Sequence, residues 1–257
     1  MPDYPPCAVC GKELVYVTGQ PPYEVYLCPD LELHQLDDRA RDEERRFEEW
    51  QRRRAKESEQ HYWNVAADHR HMSDWSLETY PDDIRGQAAK HKAEAWLDDS
   101  DTYSENNVYI YGGVGTGKSG LAWSIMRHRI LIDYSNADFV NVRAWLGDIK
   151  AAISDGESKL AQSIAARPEQ LDLLIFDDLG AERPSDFAIE TIATVVEHRH
   201  RQNLSTVVTS NYSPSQLIKR LGHGDPVVGQ RIVSRLTENC LQIRVDGADR
   251  RLNKAAA

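Results

Sequence analysis

A chain of 257 residues, 40% of them hydrophobic, can bury one sizeable core and carry a small appendage. Its formal net charge of −10 argues against coating duplex DNA by bulk attraction, while leaving room for a local basic groove that takes a single strand. No apolar run reaches membrane-spanning length, and the opening MPDYPPCAVC lacks the layout of a secretory signal, so a cytoplasmic location with reduced thiols is expected.

Residues 1–36 read as a small metal-stapled module for gripping a partner. Cys7 and Cys10 form C-x2-C, and Cys28 and His34 form C-x5-H. In a reducing compartment that spacing predicts a tetrahedral zinc site rather than disulfides, with Asp30 or Glu32 as alternatives to His34. Apolar and polar residues alternate over 13–17 and 23–27, around Thr18-Gly19-Gln20-Pro21-Pro22, which predicts a hairpin. A segment this short buries too little apolar area to fold unaided, so a Zn2+ staple is physically expected. A closed ligand set rarely carries chemistry; the partner it grips is either protein or nucleic acid.

Residues 37–70 are assigned to a charged helical linker. Glycine and proline are absent from this stretch, and acid–base pairs recur at helical spacing: Asp42–Arg46, Glu48–Arg52 and Glu49–Arg53. Ala40, Phe47 and Trp50 make a thin apolar stripe, read either as incidental on a solvated spacer or as a seat for a partner helix. Helical spacing returns over 84–97, followed by a polar loop.

Residues 71–257 carry the chemistry. Gly112, Gly113, Val114, Gly115, Thr116, Gly117, Lys118 and Ser119 spell G-x4-G-K-S between an apolar strand, 107–111, and a helix, 120–130. That arrangement aims backbone N–H groups and the positive helix end at one point, a seat for the triphosphate of ATP. Lys118 is expected to reach the β- and γ-phosphates and Ser119 to ligate Mg2+. A second buried strand, 171–176, delivers Asp177 and Asp178 to the sheet tip, the Walker B arrangement. A helix over 185–202 and a third strand, 204–209, follow, the latter ending in Ser210-Asn211, where an amide can sense the γ-phosphate. A helix over 230–238 bears Arg231 and Arg235, and Cys240, in a last strand over 240–245, is expected to be a buried core thiol. His198 and His200 are expected at the surface.

Together, GGVGTGKS at 112–119, LLIFDDLG at 173–180, TSN at 209–211, SRL at 234–236 and GADRR at 247–251 resemble the AAA+ ATPases of the DnaC/DnaI-type helicase-loader group, with the IstB transposition helpers as close relatives. Arg199 also matches an arginine common in that group. The resemblance implies an α/β three-layer αβα domain with a parallel sheet. It implies Asp177 as metal acid, Asp178 as catalytic base, Asn211 as sensor 1, Arg235 as a trans-acting arginine finger with Arg231 its rival, and Arg251 as sensor 2 with Arg250 its rival. It further implies self-association, a hexameric replicative helicase as partner, and single-stranded DNA as the template. The sequence departs from the group at Ser119-Gly120-Leu121, where threonine and then histidine-leucine are usual. The cysteine-rich front end favours a DnaI-like loader over a transposition helper; a P-loop small-molecule kinase is a weaker alternative.

Overall fold

The computed structural model describes residues 6–7, 11–18, 25–28, 38–81, 84–98, 106–223, 225–247 and 249. At the N-terminal end, β1 (Val15–Thr18) and β2 (Val25–Leu27) pair antiparallel, Val15 opposite Leu27, with a bulge before Thr18. The hairpin forms as alternation predicts; its Gly-Pro loop lies outside the described residues.

Helix α1 (Asp38–Asp68) is longer than the charge run that announces it. Its outer face is solvated, and Glu48 meets Arg52 at 3.3 Å as the spacing predicts. Arg53 turns instead to Glu57, at 4.0 Å, so the expected Glu49–Arg53 pair gives way to one a turn further on. The side chain of Asp42 lies outside the described ones. The inner face is not a spacer. Trp50 is buried, stacks on Phe47 and meets Tyr134 edge-on, while Tyr62, Val65 and Ala66 enter the main core.

Beyond α2 (Ile84–Asp98), strand and helix alternate. The chain runs through β3 (Asn107–Tyr111), α3 (Lys118–Leu131), β4 (Ala137–Asn141), α4 (Val142–Ser154), α5 (Ser158–Ala166) and β5 (Leu173–Asp177). It continues through α6 (Asp186–Arg201), β6 (Ser205–Ser210), α7 (Pro214–Gly222), α8 (Pro226–Thr237) and β7 (Cys240–Arg244). The five larger strands form one parallel sheet in the order β4-β5-β6-β3-β7.

The near-continuous apolar character of these strands has a direct cause: helices cover both faces. On β5, Leu173 and Ile175 point to the layer of α1, α2 and α3, whereas Leu174 and Phe176 point to the layer of α4 to α8. This is the three-layer αβα architecture expected, and its parallel strands bring every C-terminal tip to one edge. The outer edge of β4 is capped rather than left open. His61 Nε2 lies 2.8 Å from the Ala137 carbonyl oxygen and His69 Nε2 3.1 Å from that of Phe139. The second half of α1 and the residue that follows it therefore close the sheet at this side.

Candidate ATP site at the tips of the parallel strands

The phosphate loop leaves the sheet where β3 ends, and three of its four glycines answer to a positive φ or a close approach. Gly112 has φ +152, and a Cβ there would collide with the backbone carbonyl of Val245. Gly115, at φ +71, lies against the carboxylate of Asp249, and Gly117, at φ +101, is the left-handed N-cap of α3. Because that cap turns directly into the helix, α3 begins at Lys118 rather than Gly120. Within the loop, Thr116 is buried and its hydroxyl donates to the Gly113 carbonyl at 3.0 Å.

Gly120 explains the departure from the helicase-loader pattern. A Cβ at this position would collide with the indole of Trp75, whose chain segment packs against the first turn of α3. Tyr80, in the same segment, donates from its hydroxyl to the Gly117 carbonyl at 3.4 Å.

Lys118 is 7% exposed. Its ammonium donates to the Gly113 carbonyl at 2.6 Å and to Asn211 Oδ1 at 2.8 Å. Asn211 turns its other end outward along the sheet tip, Nδ2 donating to Asp178 Oδ1 at 3.0 Å. The Asp178 backbone N–H donates to Thr209 Oγ1 at 2.8 Å, and that hydroxyl donates in turn to Asp177 Oδ1 at 2.6 Å. One polar network thus runs Lys118–Asn211–Asp178–Thr209–Asp177, through the tips of β3, β6 and β5. The second oxygen of Asp177 has a single, long contact, 3.5 Å from Asn141 Nδ2, which suits a carboxylate that takes a divalent cation.

Asp178 holds φ +58, unusual for a residue with a side chain. The turn after it is locked from several sides. Leu179 N–H donates to the Thr209 carbonyl at 2.9 Å and Ser210 Oγ to the Leu179 carbonyl at 2.6 Å. Arg220 of α7 donates to the carbonyls of Gly180 and Glu182 at 2.9 and 3.0 Å. Glu182 is buried and accepts from the Gly180 N–H at 2.8 Å; burial pushes its carboxyl above the ordinary glutamate value.

The sequence-derived residues therefore divide. Lys118, Asp177, Asp178 and Asn211 come together in one network. Arg231 and Arg235 do not join it: both pair with Glu197 of α6, at 3.1 and 2.8 Å. Arg250, Arg251, Cys10 and His34 lie outside the described residues. Cys7 and Cys28 are both buried, and Gly11, at φ +69, donates its N–H to the Cys7 carbonyl at 2.8 Å. Among the described residues no group of three or more His, Cys, Asp or Glu gathers as a metal site.

One further departure is plain. Cys240 is half-buried rather than a core thiol, since β7 lies at the sheet edge. Arg199, noted only for its resemblance, is 1% exposed at the far end of the sheet from Lys118. Its guanidinium donates to the carbonyls of Pro168 and Leu171 at 2.7 and 2.8 Å and to Thr206 Oγ1 at 3.0 Å, among others. Burial pushes its pKa down to about 10, so it remains charged at neutral pH.

Thr209 and Asn141 both contact Asp177, and neither is among the site residues expected from the sequence. Thr209 had a signal, its place at the tip of an apolar strand; Asn141 had one as well, since it caps α4 by accepting from the Ala144 N–H at 3.1 Å.

Comparison with known proteins agrees with this architecture. The replicative helicase loader DnaI of Bacillus subtilis (strain 168) is 30% identical over 160 residues, 59% of this chain. The match spans 50% of that loader's length. A crystal structure of DnaI superposes with a TM-score of 0.59 at 23% identity, covering 70% of this chain and 93% of that one. The crystal structure of the DnaC helicase loader gives 0.54 at 21%, covering 72% and 98%. At those identities the structures establish the fold alone, a three-layer αβα domain with a parallel sheet. A family model described as IstB-like ATP binding protein matches residues 43–257, which include the phosphate loop, the Asp177–Asp178 strand tip and Asn211. By that match the chain belongs to the IstB-like ATP-binding protein family.

Proposed function

We propose that this chain is an ATPase that loads a hexameric replicative helicase onto single-stranded DNA, binding and hydrolysing ATP at interfaces between its own copies. The observation that carries the chemical half is the unbroken Lys118–Asn211–Asp178–Thr209–Asp177 network at the strand tips. The partner half is supported by the likeness to the DnaI loader.

The residue roles follow from what each group gives up. Lys118 exchanges its Asn211 partner for phosphate oxygens, and the freed amide can then report the γ-phosphate to Asp178. Asp178 accepts the proton of the water that attacks the γ-phosphorus, while the bond to the bridging oxygen breaks and ADP leaves. Ser119 and Asp177 are the groups that would hold Mg2+, which when bound draws charge from the phosphoryl oxygens. Arg235 projects into a neighbouring copy's site, and Arg251 covers the phosphates. At the other end of the chain, Cys7, Cys10, Cys28 and His34 are the groups that would hold Zn2+, which when bound would staple the module that grips the helicase.

The test is to mix purified protein with its cognate helicase and a single-stranded oligonucleotide, with and without ATP, and to measure stable complex formation. ATP-dependent complex formation is expected, with about one zinc per chain. Cys28→Ser is expected to lose zinc and helicase binding while retaining ATPase activity. A second reading, a transposition-helper ATPase acting on duplex DNA, is favoured by the family description. Tight duplex binding with no helicase interaction would establish that reading instead.

A further inference from the structure

Arg231 and Arg235 stand one turn apart on α8 and converge on a single atom of α6. Glu197 Oε1 accepts a hydrogen bond from Arg235 Nη1 at 2.8 Å and forms an ion pair with Arg231 Nε at 3.1 Å. Two guanidinium charges share one carboxylate, so one positive charge stays uncompensated. No other carboxylate among the described residues lies within ion-pair distance of either arginine.

Stability does not account for this arrangement. The three side chains are 54%, 29% and 37% exposed for Arg231, Arg235 and Glu197, and ion pairs that wet contribute little to folding. What the arrangement does is geometric. Arg235 is held through one terminal nitrogen, leaving Nη2 and Nε for another acceptor. Arg231 draws on the same carboxylate oxygen, so Glu197 orients Arg235 without cancelling its charge.

We propose that Glu197 is a positioning residue for the interface arginine: it presents Arg235, still cationic, to the triphosphate bound by a neighbouring copy of the chain. The proposal rests on the reading of Arg235 as an arginine that acts across the subunit interface. Its site of action is the neighbour's γ-phosphate, an anion that takes the residual charge and the unused N–H groups together.

Mixed assemblies of the full chain provide the test, with steady-state ATPase measured against ATP and protein concentration in the presence of oligo-dT. Glu197→Gln is expected to lower kcat about ten- to a hundredfold, as a misplaced catalytic group does, with KM for ATP within about twofold of the unsubstituted protein. Glu197→Asp, which keeps the charge, is expected to recover part of the loss. Adding Lys118→Ala subunits, which lack a working site but carry intact arginines, is expected to raise the turnover of Glu197→Gln subunits. A purely local folding defect would gain nothing from that mixture, and fluorescent-ATP binding by Glu197→Gln checks its own site independently. If Arg235→Ala is impaired and rescued by the Lys118→Ala subunits while Glu197→Gln turns over normally, the interface arginine stands and the role of Glu197 is overturned. If Arg235→Ala is not impaired, or gains nothing in the mixture, the interface reading itself fails and this proposal with it.

Discussion

Lys118 and Arg199 are both buried cations, and they sit at opposite ends of the same parallel sheet. Arg199 lies where β5 and β6 begin, and its guanidinium is held by backbone carbonyls of the 168–172 turn and of Ser205, with the Thr206 hydroxyl beside them. Those acceptors belong to the fold and cannot leave it. Lys118 lies at the strand tips, and one of its partners is a side-chain amide that also serves Asp178. An amide can turn away when a better acceptor arrives. A buried cation saturated by main chain is structural; one held by a side chain that has a second partner is poised for exchange.

The contrast predicts substitutions of quite different kinds, and the largest effect belongs to the open end. Asp178→Asn keeps the hydrogen-bond acceptor for Asn211 but removes the base, so kcat should fall about 10²–10⁴-fold while ATP binding persists, as measured by turnover beside equilibrium nucleotide titration. Wild-type turnover in that variant would show that the proton goes elsewhere.

Arg199→Met should act on the fold instead. It leaves several buried carbonyls without a donor, at about 1–3 kcal/mol for each group left unsatisfied, visible as a shifted denaturation midpoint. The folded fraction should still bind ATP with unchanged affinity. An affinity loss without a stability loss would dissolve the contrast between the two ends.

Thr209→Val removes the hydroxyl that bridges Asp177 and the Asp178 N–H, at about 1–3 kcal/mol for a buried group left unsatisfied. Both stability and the Mg2+ concentration needed for half-maximal activity should respond, because this residue supports the fold and the site together. Serine at the same position should restore most of both.

The smallest expected effect is one of pH. Glu182 has its pKa raised by burial, so the native state holds that proton more tightly than the unfolded chain does. Stability contributed by this group is therefore present at low pH and falls as pH rises from the ordinary glutamate value through the raised native one. Glu182→Gln should remove that slope, which the difference between two stability–pH curves isolates. An unchanged slope would mean that Arg220 and the Gly180 N–H fully offset the burial.

Much of the fold was legible because its signals are local. The expected bounds of β3 match the structure to the residue, those of α2 and α6 match to within one residue at each end, and the glycine loop follows from its own backbone needs. Helix α8 starts at Pro226, ahead of the expected 230, because Asp225 and Pro226 supply a cap and a first-turn proline. The span holding β4, α4 and α5 carries no sequence expectation above, although Val142, Trp145, Leu146 and Ile149 repeat with helical spacing.

The sequence by itself determined the phosphate loop, the paired acids at a strand tip, the helix–strand alternation and the composition of the core. These depend on residues adjacent in the chain or one helical turn apart, where propensity and periodicity act directly. The tertiary structure alone decided that Asn211 would join Lys118 to Asp178, that Arg199 would be walled in by carbonyls, that α1 would cap the β4 edge, and that Glu197 would hold two arginines. Each of these pairs groups from elements distant in sequence, and strand order and helix packing, not local pattern, select which polar groups share a neighbourhood.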